Sequence, residues 1–242
     1  MIYFAADVHL GLRAGDPAER EIRFAQWLRS LRKPDTEALY LLGDIWDFWY
    51  EYRYVIPAEG ARVAGAIIEL VDYGVKVYYV PGNHDIWLYS FWQKSGVQIL
   101  QQPQVLELQG KRLLVGHGDA LGGAARSYRF MLKIFHSRVC QVLFSGLHPW
   151  LAFRFANRWS NSSRRKHGGY KFKGEAEPLY QFCKSECEKA AAAGKPFDYC
   201  VFGHFHDAVD MPVGSSRLVV LKDWIDGGVH YAALDRGQLE VF

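Results

Sequence analysis

The sequence predicts an α/β fold with a polar sheet edge and one helical insert. Three observations lead there. Strand-like apolar runs alternate with helical periodicity from Met1 to Val80. A basic and aromatic stretch then interrupts the alternation, and strand-like runs resume from Asp198 to the C-terminus.

Each element follows from its residues. "MIYFAA" reads as a buried strand. Pro17 to Arg32 carries Ile22, Phe24, Ala25, Leu28 and Leu31 at helical spacing, with Asp16 as cap and Pro34 just beyond. "ALYLL" is a second strand, and Pro57 to Tyr73 a second helix stopped by Gly74. "VKVYYV" is a third strand. The β-α-β-α-β order implies parallel strands with right-handed crossovers. Gln104–Leu108 and Arg112–Val115, joined by "QGK", predict a hairpin, and "DYCVF" a further strand. "RLVVL", "VHYAALD" and "QLEVF" predict an antiparallel finish. Between Gly116 and Asp198 the pattern is helical, in "SYRFMLKIFHSRVCQVLF", "PWLAFRFANRW" and a polar helix from Glu175 to Ala193. The expected division is a core of 1–122 and 198–242 with a helical insert at 123–197.

The chain has 242 residues, half of them hydrophobic, enough for one large domain with a subdomain inside it. The net charge of +3 favours no partner, but its distribution is uneven. Residues 124–173 hold 11 Lys or Arg and no Asp or Glu, leaving 18 basic and 26 acidic residues elsewhere. The four cysteines, Cys140, Cys183, Cys187 and Cys200, form no zinc knuckle and read as thiols of a reducing compartment. "MIYFAADVHLG" lacks the features of a signal peptide. No run reaches the ~18 apolar residues of a membrane span.

Five strand-like runs end alike: in Asp7-Val8-His9, Gly43-Asp44-Ile45-Trp46-Asp47, Gly82-Asn83-His84-Asp85, Gly116-His117-Gly118-Asp119 and Gly203-His204-Phe205-His206. Carboxyl ends of parallel strands share one edge, where open α/β sheets bind ligands. Charged and polar groups gathered there must be paired or coordinate something. Mixed O and N donors without sulfur suit Mn2+, Fe or Zn2+. Taken singly, each block is an ordinary cap, turn or solvated loop. Five in succession are not.

"DVH", "GDIWD", "GNHD", "GHGD" and "GHFH", in that order, resemble the five blocks of the calcineurin-like metallophosphoesterases. The resemblance implies a four-layer α/β-β/α sandwich with the insert as a cap over the site. It implies two divalent ions, Mn2+ expected and Fe or Zn2+ as alternatives. One would be held by Asp7, His9, Asp44 and His206, the other by Asp44, Asn83, His117 and His204. His84 would meet the phosphate or leaving oxygen, with Asp85 orienting its ring and favouring its charged form. Two ions can clamp a phosphoryl oxygen for in-line attack by water. No protein nucleophile is evident.

The choice of phosphoester falls to the insert. Its ten aromatics among basic residues allow three readings: a nucleic-acid surface, a plain helical core with solvated Arg, or a cap for acyl chains and anionic head groups. "GDIWDFWYEY", "GNHDIW", "IFHSRVCQVLF", "LHPWLAFRFANRWS" and "DWI" resemble the UDP-2,3-diacylglucosamine pyrophosphohydrolase family of lipid A synthesis, in the form with His after the third-block Asn. That resemblance implies hydrolysis to UMP and 2,3-diacylglucosamine 1-phosphate, an acylated UDP-sugar as partner and no nucleic acid. It implies a cytoplasmic protein, peripheral on the inner membrane. Substrate contacts would come from Asn83, His84, Asp119, Tyr128, Asn161, Ser162, Arg164, Arg165 and Lys166. The alternatives are a metallophosphoesterase of another nucleotide or phosphodiester, and a metal-binding scaffold without catalysis.

Overall fold

The computed structural model describes residues 1–156, 158 and 170–242. The first half runs β1 (Ile2–Ala5), α1 (Pro17–Ser30), β2 (Ala38–Leu41), α2 (Ala61–Tyr73), β3 (Lys76–Tyr79), α3 (Phe91–Lys94), β4 (Gln98–Ile99), β5 (Gln104–Leu108) and β6 (Lys111–Val115). Helices α4 (Arg126–His136) and α5 (Arg138–Ser145) follow, then α6, described over 149–156. The chain closes with α7 (Pro178–Ala192), β7 (Tyr199–Phe202), β8 (Val209–Val213), β9 (Ser216–Val220), β10 (Ala232–Asp235) and β11 (Gln238–Val241).

Two sheets form, ordered β11-β10-β1-β2-β3-β4 and β5-β6-β7-β9-β8. β1, β2, β3 and β4 pair in parallel, with Ala5 beside Leu41 and Leu41 beside Tyr79. β6, β7 and β9 also run parallel in the second sheet. Each sheet therefore presents strand carboxyl ends along one edge, and the five polar blocks leave from those ends.

Burial sorts the layers. Phe24, Trp27 and Leu28 of α1 and Ile67 and Leu70 of α2 pack on the outer face of the first sheet. Ile2, Phe4 and Tyr40 meet Leu113, Val115, Val201 and Val219 between the sheets. Leu179, Tyr180, Cys183 and Cys187 of α7 cover the far face of the second sheet beside Cys200, Phe202 and Leu218. The result is the expected α/β-β/α sandwich. α7, assigned from sequence to the insert, supplies its fourth layer, because its apolar stripe fits the second sheet. Cys140 is half-buried, whereas Cys183, Cys187 and Cys200 are buried free thiols.

Other boundaries move for local reasons. α1 begins as expected: Asp16 Oδ1 accepts from Ala18 N and Glu19 N, both at 3.0 Å, ahead of Pro17. α2 starts at Ala61 rather than Pro57. Trp46 Nε1 donates to Glu59 O at 2.8 Å, and Gly60 takes φ +79°, which holds the preceding turn out of the helix. The helical run expected at 127–144 breaks at Ser137, whose extended backbone ends α4 and whose side chain caps α5. The final segments are not all antiparallel neighbours: β9 joins the second sheet, parallel to β7, while β10 and β11 pair antiparallel in the first. β8 and β4 go unseen in the sequence. β8 contains Pro212, which an edge strand accommodates, and β4 has two residues.

Candidate metal centre and its apolar cavity

The five loops after β1, β2, β3, β6 and β7 bring their polar side chains together. Backbone strain marks the place. Asp7, His9, Asp44, His204 and His206 all adopt left-handed φ, between +51° and +76°. Non-glycine residues rarely hold this conformation, and strain of this kind collects at functional sites. Glycines are required beside them: a Cβ on Gly82 would strike Asp44 Oδ1, and one on Gly203 would lie 2.5 Å from Asp7 Oδ2.

Three groups converge closely enough to hold an ion: Asp7 with His9 and His206; His9 with Asp44 and His84; Asp44 with His117 and His204. Asp44 Oδ2 lies 3.3 Å from His117 Nε2 and 3.8 Å from His9 Nε2, between the two ends of the site. Asn83 Oδ1 lies 3.3 Å from His117 Nε2, and His204 Nδ1 lies 3.3 Å from the same nitrogen.

The donor set fits divalent cations. His9 Nδ1 pairs with Asp47 Oδ1 at 3.2 Å, and His206 Nδ1 with Asp223 Oδ2 at 2.9 Å. Their Nε2 atoms then face each other 3.3 Å apart, an arrangement of lone pairs that calls for a cation. His117 Nδ1 donates to Leu42 O at 2.9 Å, which turns its Nε2 inward as well. Asp7 Oδ2 accepts from His204 N at 2.7 Å, whereas its Oδ1 is buried without a donor. Buried acceptors left in this way are costly unless something positive meets them.

The acid–base balance reflects the same crowding. Burial pushes Asp44 up, but the imidazoles of His117, His84 and His9 outweigh it and hold the carboxyl well below its usual range. His117 is correspondingly raised: Asp44 outweighs the burial that would lower it. His204, buried and beside His117, is pushed down to about 4, leaving its lone pair available at neutral pH.

Asp85 departs from its expected role. It does not orient His84. Its buried carboxylate accepts from Gly82 N at 2.8 Å, Ile45 N at 2.8 Å, Asp44 N at 3.2 Å and the Tyr79 hydroxyl. It ties the loops after β2 and β3 together, and burial followed by repulsion from Asp44 raises its pKa to about 6. His84 Nδ1 donates instead to Asp47 O at 2.9 Å, which points Nε2 toward Asp44 Oδ2 at 4.0 Å. Asp85 turns into the core while its neighbour His84 faces the site, and sequence adjacency conceals that.

Asp119 and Tyr128 meet each other, with the hydroxyl 3.2 Å from Oδ2. Burial, then Asp119, raises the Tyr128 pKa far above its usual value. Gln102, which no motif signals, donates to Asp119 and accepts from His117 N at 2.8 Å and Gly118 N at 3.0 Å. Asp47 and Asp223 stand in quoted motifs, but nothing in their spacing reveals which ring each one backs. Asn161, Ser162, Arg164, Arg165 and Lys166 lie outside the described residues.

Beside the polar site opens an apolar cavity of about 330 Å³. Asp47, Asn83 and His84 border it, and Phe48, Trp87, Met131, Ile134, Phe135, Cys140, Phe144 and Phe155 line it. The cap is anchored there by aromatic packing and two hydrogen bonds. Phe48 meets Phe153 edge-on at 5.1 Å, Trp87 Nε1 donates to Phe135 O at 2.9 Å, and Tyr50 OH donates to Gln141 O at 2.9 Å. Trp150 is absent from the lining, and Phe153 packs in the cap–core cluster instead.

Comparison with known proteins gives the family. The family model for calcineurin-like phosphoesterases matches residues 1–208. A UDP-2,3-diacylglucosamine hydrolase of Porphyromonas gingivalis is 35% identical over 241 residues, covering 93% of this chain and 90% of that protein. The protein of the same name from Yersinia pseudotuberculosis is 28% identical, covering 99% of this chain and 98% of its own. A solved archaeal phosphodiesterase has a TM-score of 0.49 at 10% identity, covering 100% of this chain and 98% of its own. With strained Asp and His residues at the ends of parallel strands and a family match across most of its length, the chain belongs to the calcineurin-like phosphoesterases, hydrolases with a dinuclear divalent metal site.

Proposed function

We propose that this chain hydrolyses the pyrophosphate of UDP-2,3-diacylglucosamine to UMP and 2,3-diacylglucosamine 1-phosphate. The observation that carries this reading is the apolar cavity bordered by Asn83 and His84, so that an acyl chain and a phosphate can lie side by side. The names of the similar proteins support the same substrate. Water adds to the phosphorus next to uridine, the bridging P–O bond breaks, and the sugar phosphate leaves.

One ion would be held by Asp7, His9, Asp44 and His206, and the other by Asp44, Asn83, His117 and His204. Mn2+ is the proposed metal on the resemblance to the UDP-2,3-diacylglucosamine hydrolases, and the mixed oxygen and imidazole donors would also accept Fe or Zn2+. Bound ions supply Lewis-acid activation of the attacking water and the phosphoryl oxygen. Asn83 contributes a neutral oxygen, which limits negative charge where an anionic substrate must approach. His84 presents Nε2 to the phosphoryl or leaving oxygen, with Nδ1 held by Asp47 O. Asp119 and Tyr128 form a joined polar wall, and Asn161, Ser162, Arg164, Arg165 and Lys166 are further proposed substrate contacts.

The cap supports a peripheral position on the cytoplasmic face of the inner membrane. Among the described residues no helix is long and apolar enough to cross a membrane. Yet Phe130, Val139, Val142, Leu143, Trp150 and Phe155 are exposed, Val142 and Leu143 by 70% each, within the basic segment. Exposed apolar side chains with Lys and Arg suit an anionic lipid surface. The test is Mn2+-dependent release of UMP from acylated and non-acylated UDP-sugars. Much faster release from the acylated one is expected. Equal rates would replace the lipid reading with a general nucleotide phosphoesterase.

A further inference from the structure

We infer that Asp47 is a positioning residue that sets two rings at once, coupling metal ligation at His9 to the orientation of His84. Asp47 lies on the loop after β2 and is 5% exposed. Its backbone N donates to Leu10 O at 3.0 Å, which pins it to the loop after β1. Its Oδ1 accepts from His9 Nδ1 at 3.2 Å. Its backbone O accepts from His84 Nδ1 at 2.9 Å, and the same Oδ1 lies 3.6 Å from that nitrogen. The His9 and His84 rings stand edge to face, 5.0 Å apart at 88°.

One residue thus fixes the tautomer and the tilt of rings from two different loops. With Nδ1–H directed at Asp47 in each, both Nε2 atoms face the site. A carboxylate behind a ligating imidazole orients it and strengthens it as a donor. His206 has an equivalent partner in Asp223, at 2.9 Å, and that pair serves as the comparison. What distinguishes Asp47 is the second ring. A shift of its loop moves a metal ligand and the phosphate-facing imidazole together. Misplacements of about 1 Å are costly in catalysis.

The inference rests on the proposed ligand set and not on the identity of the substrate. It is tested on the full chain with Mn2+ alone by calorimetry, and with bis(4-nitrophenyl) phosphate as a generic phosphodiester. Asp47→Asn should weaken one of two Mn2+ ions by roughly 10–100-fold and leave the other. Asp47→Asn keeps the backbone carbonyl on His84 Nδ1 but removes the negative charge of Oδ1, 3.6 Å from that nitrogen. Through that loss it should, at saturating Mn2+, still lower kcat about tenfold in the wild-type background, but less than about twofold in His84→Ala. Asp223→Asn should weaken Mn2+ and combine multiplicatively with His84→Ala. Unchanged Mn2+ affinity in Asp47→Asn overturns the link to His9. Equal kcat losses in both backgrounds overturn the link to His84, and a purely structural defect gives that same equality. If Asp47→Asn does not fold, long-range ¹H–¹⁵N spectra of the metal-free wild type decide: a proton missing from Nδ1 of either ring overturns the inference. A wild type binding fewer than two Mn2+ would instead remove the dinuclear reading itself.

Discussion

The strand-end site and the cap obey opposite rules. At the site, Asp7, His9, Asp44 and His117 are almost fully buried, the first three with strained backbones, and each is held by neighbouring loops. In the cap, α4 and α5 contain no buried residue, and their large apolar side chains face outward or into the cavity. Chemistry requires side chains fixed to fractions of an ångström, and a two-sheet core can hold strained loops in place. Selecting an acylated substrate requires apolar surface more than exact positions, and an insert hung on Phe48, Tyr50 and Trp87 provides it. The division explains how one fold can serve many substrates: the edge keeps the reaction while the insert varies.

Substitutions at the two regions should separate accordingly. The largest effect is expected for Asp44→Ala, which removes the carboxylate between both ends of the site. Turnover should fall at least a thousandfold, about 4 kcal/mol, on every substrate. Metal analysis should find fewer than two ions per chain; two ions with near-normal rates would end the dinuclear reading. His84→Ala should keep both ions and lose roughly 10²–10³ in rate, again on acylated and generic substrates alike. Metal loss as deep as in Asp44→Ala would make His84 a ligand, a role that its place in one of the converging groups leaves open to test.

A cavity substitution should behave differently. Phe155→Ala should raise KM for the acylated substrate about tenfold, from lost apolar burial. It should leave hydrolysis of a small phosphodiester unchanged, whereas equal effects on both would break the contrast between edge and cap. Trp150→Ala, outside the cavity lining and 59% exposed, should instead weaken liposome association in a salt-dependent assay. The smallest effect is expected far from both regions. Asp16→Ala removes the cap of α1 and should cost about 1 kcal/mol, or roughly 2–4 °C in Tm, with rates intact. A rate loss there would show that the sandwich transmits strain to its edge.

Metal removal sharpens the same comparison. Mn2+ at about a hundred times the Kd of each site should stabilise the wild type by about 2.7 kcal/mol per ion, roughly 5.5 kcal/mol for two, seen as a rise in Tm. Asp44→Ala should abolish most of that rise, and Phe155→Ala should keep it.

Much of the edge is legible in the sequence alone. Periodicity placed β1 to β3 and their helices, because each strand buries all or part of a short apolar run and each helix a stripe. Five polar blocks after apolar runs, four of them opening with glycine, mark the site, because parallel strands bring their carboxyl ends to one side. Local sequence was enough there, since each block's position relative to its own strand decides where it points. Three kinds of fact required the folded chain. α7 packs on the second sheet and not in the cap, because its buried face, Leu179 to Cys187, matches strands far away in sequence. Asp85 turns into the core to accept from five backbone and side-chain donors, leaving His84 to Asp47, because four of those donors come from the loop after β2 and from β3, which only folding brings beside it. The cavity exists only where α4, α5 and α6 meet the loops after β2 and β3. Periodicity identifies a face that must be covered; which distant surface covers it is settled by long-range packing, and that information resides in no single stretch of chain.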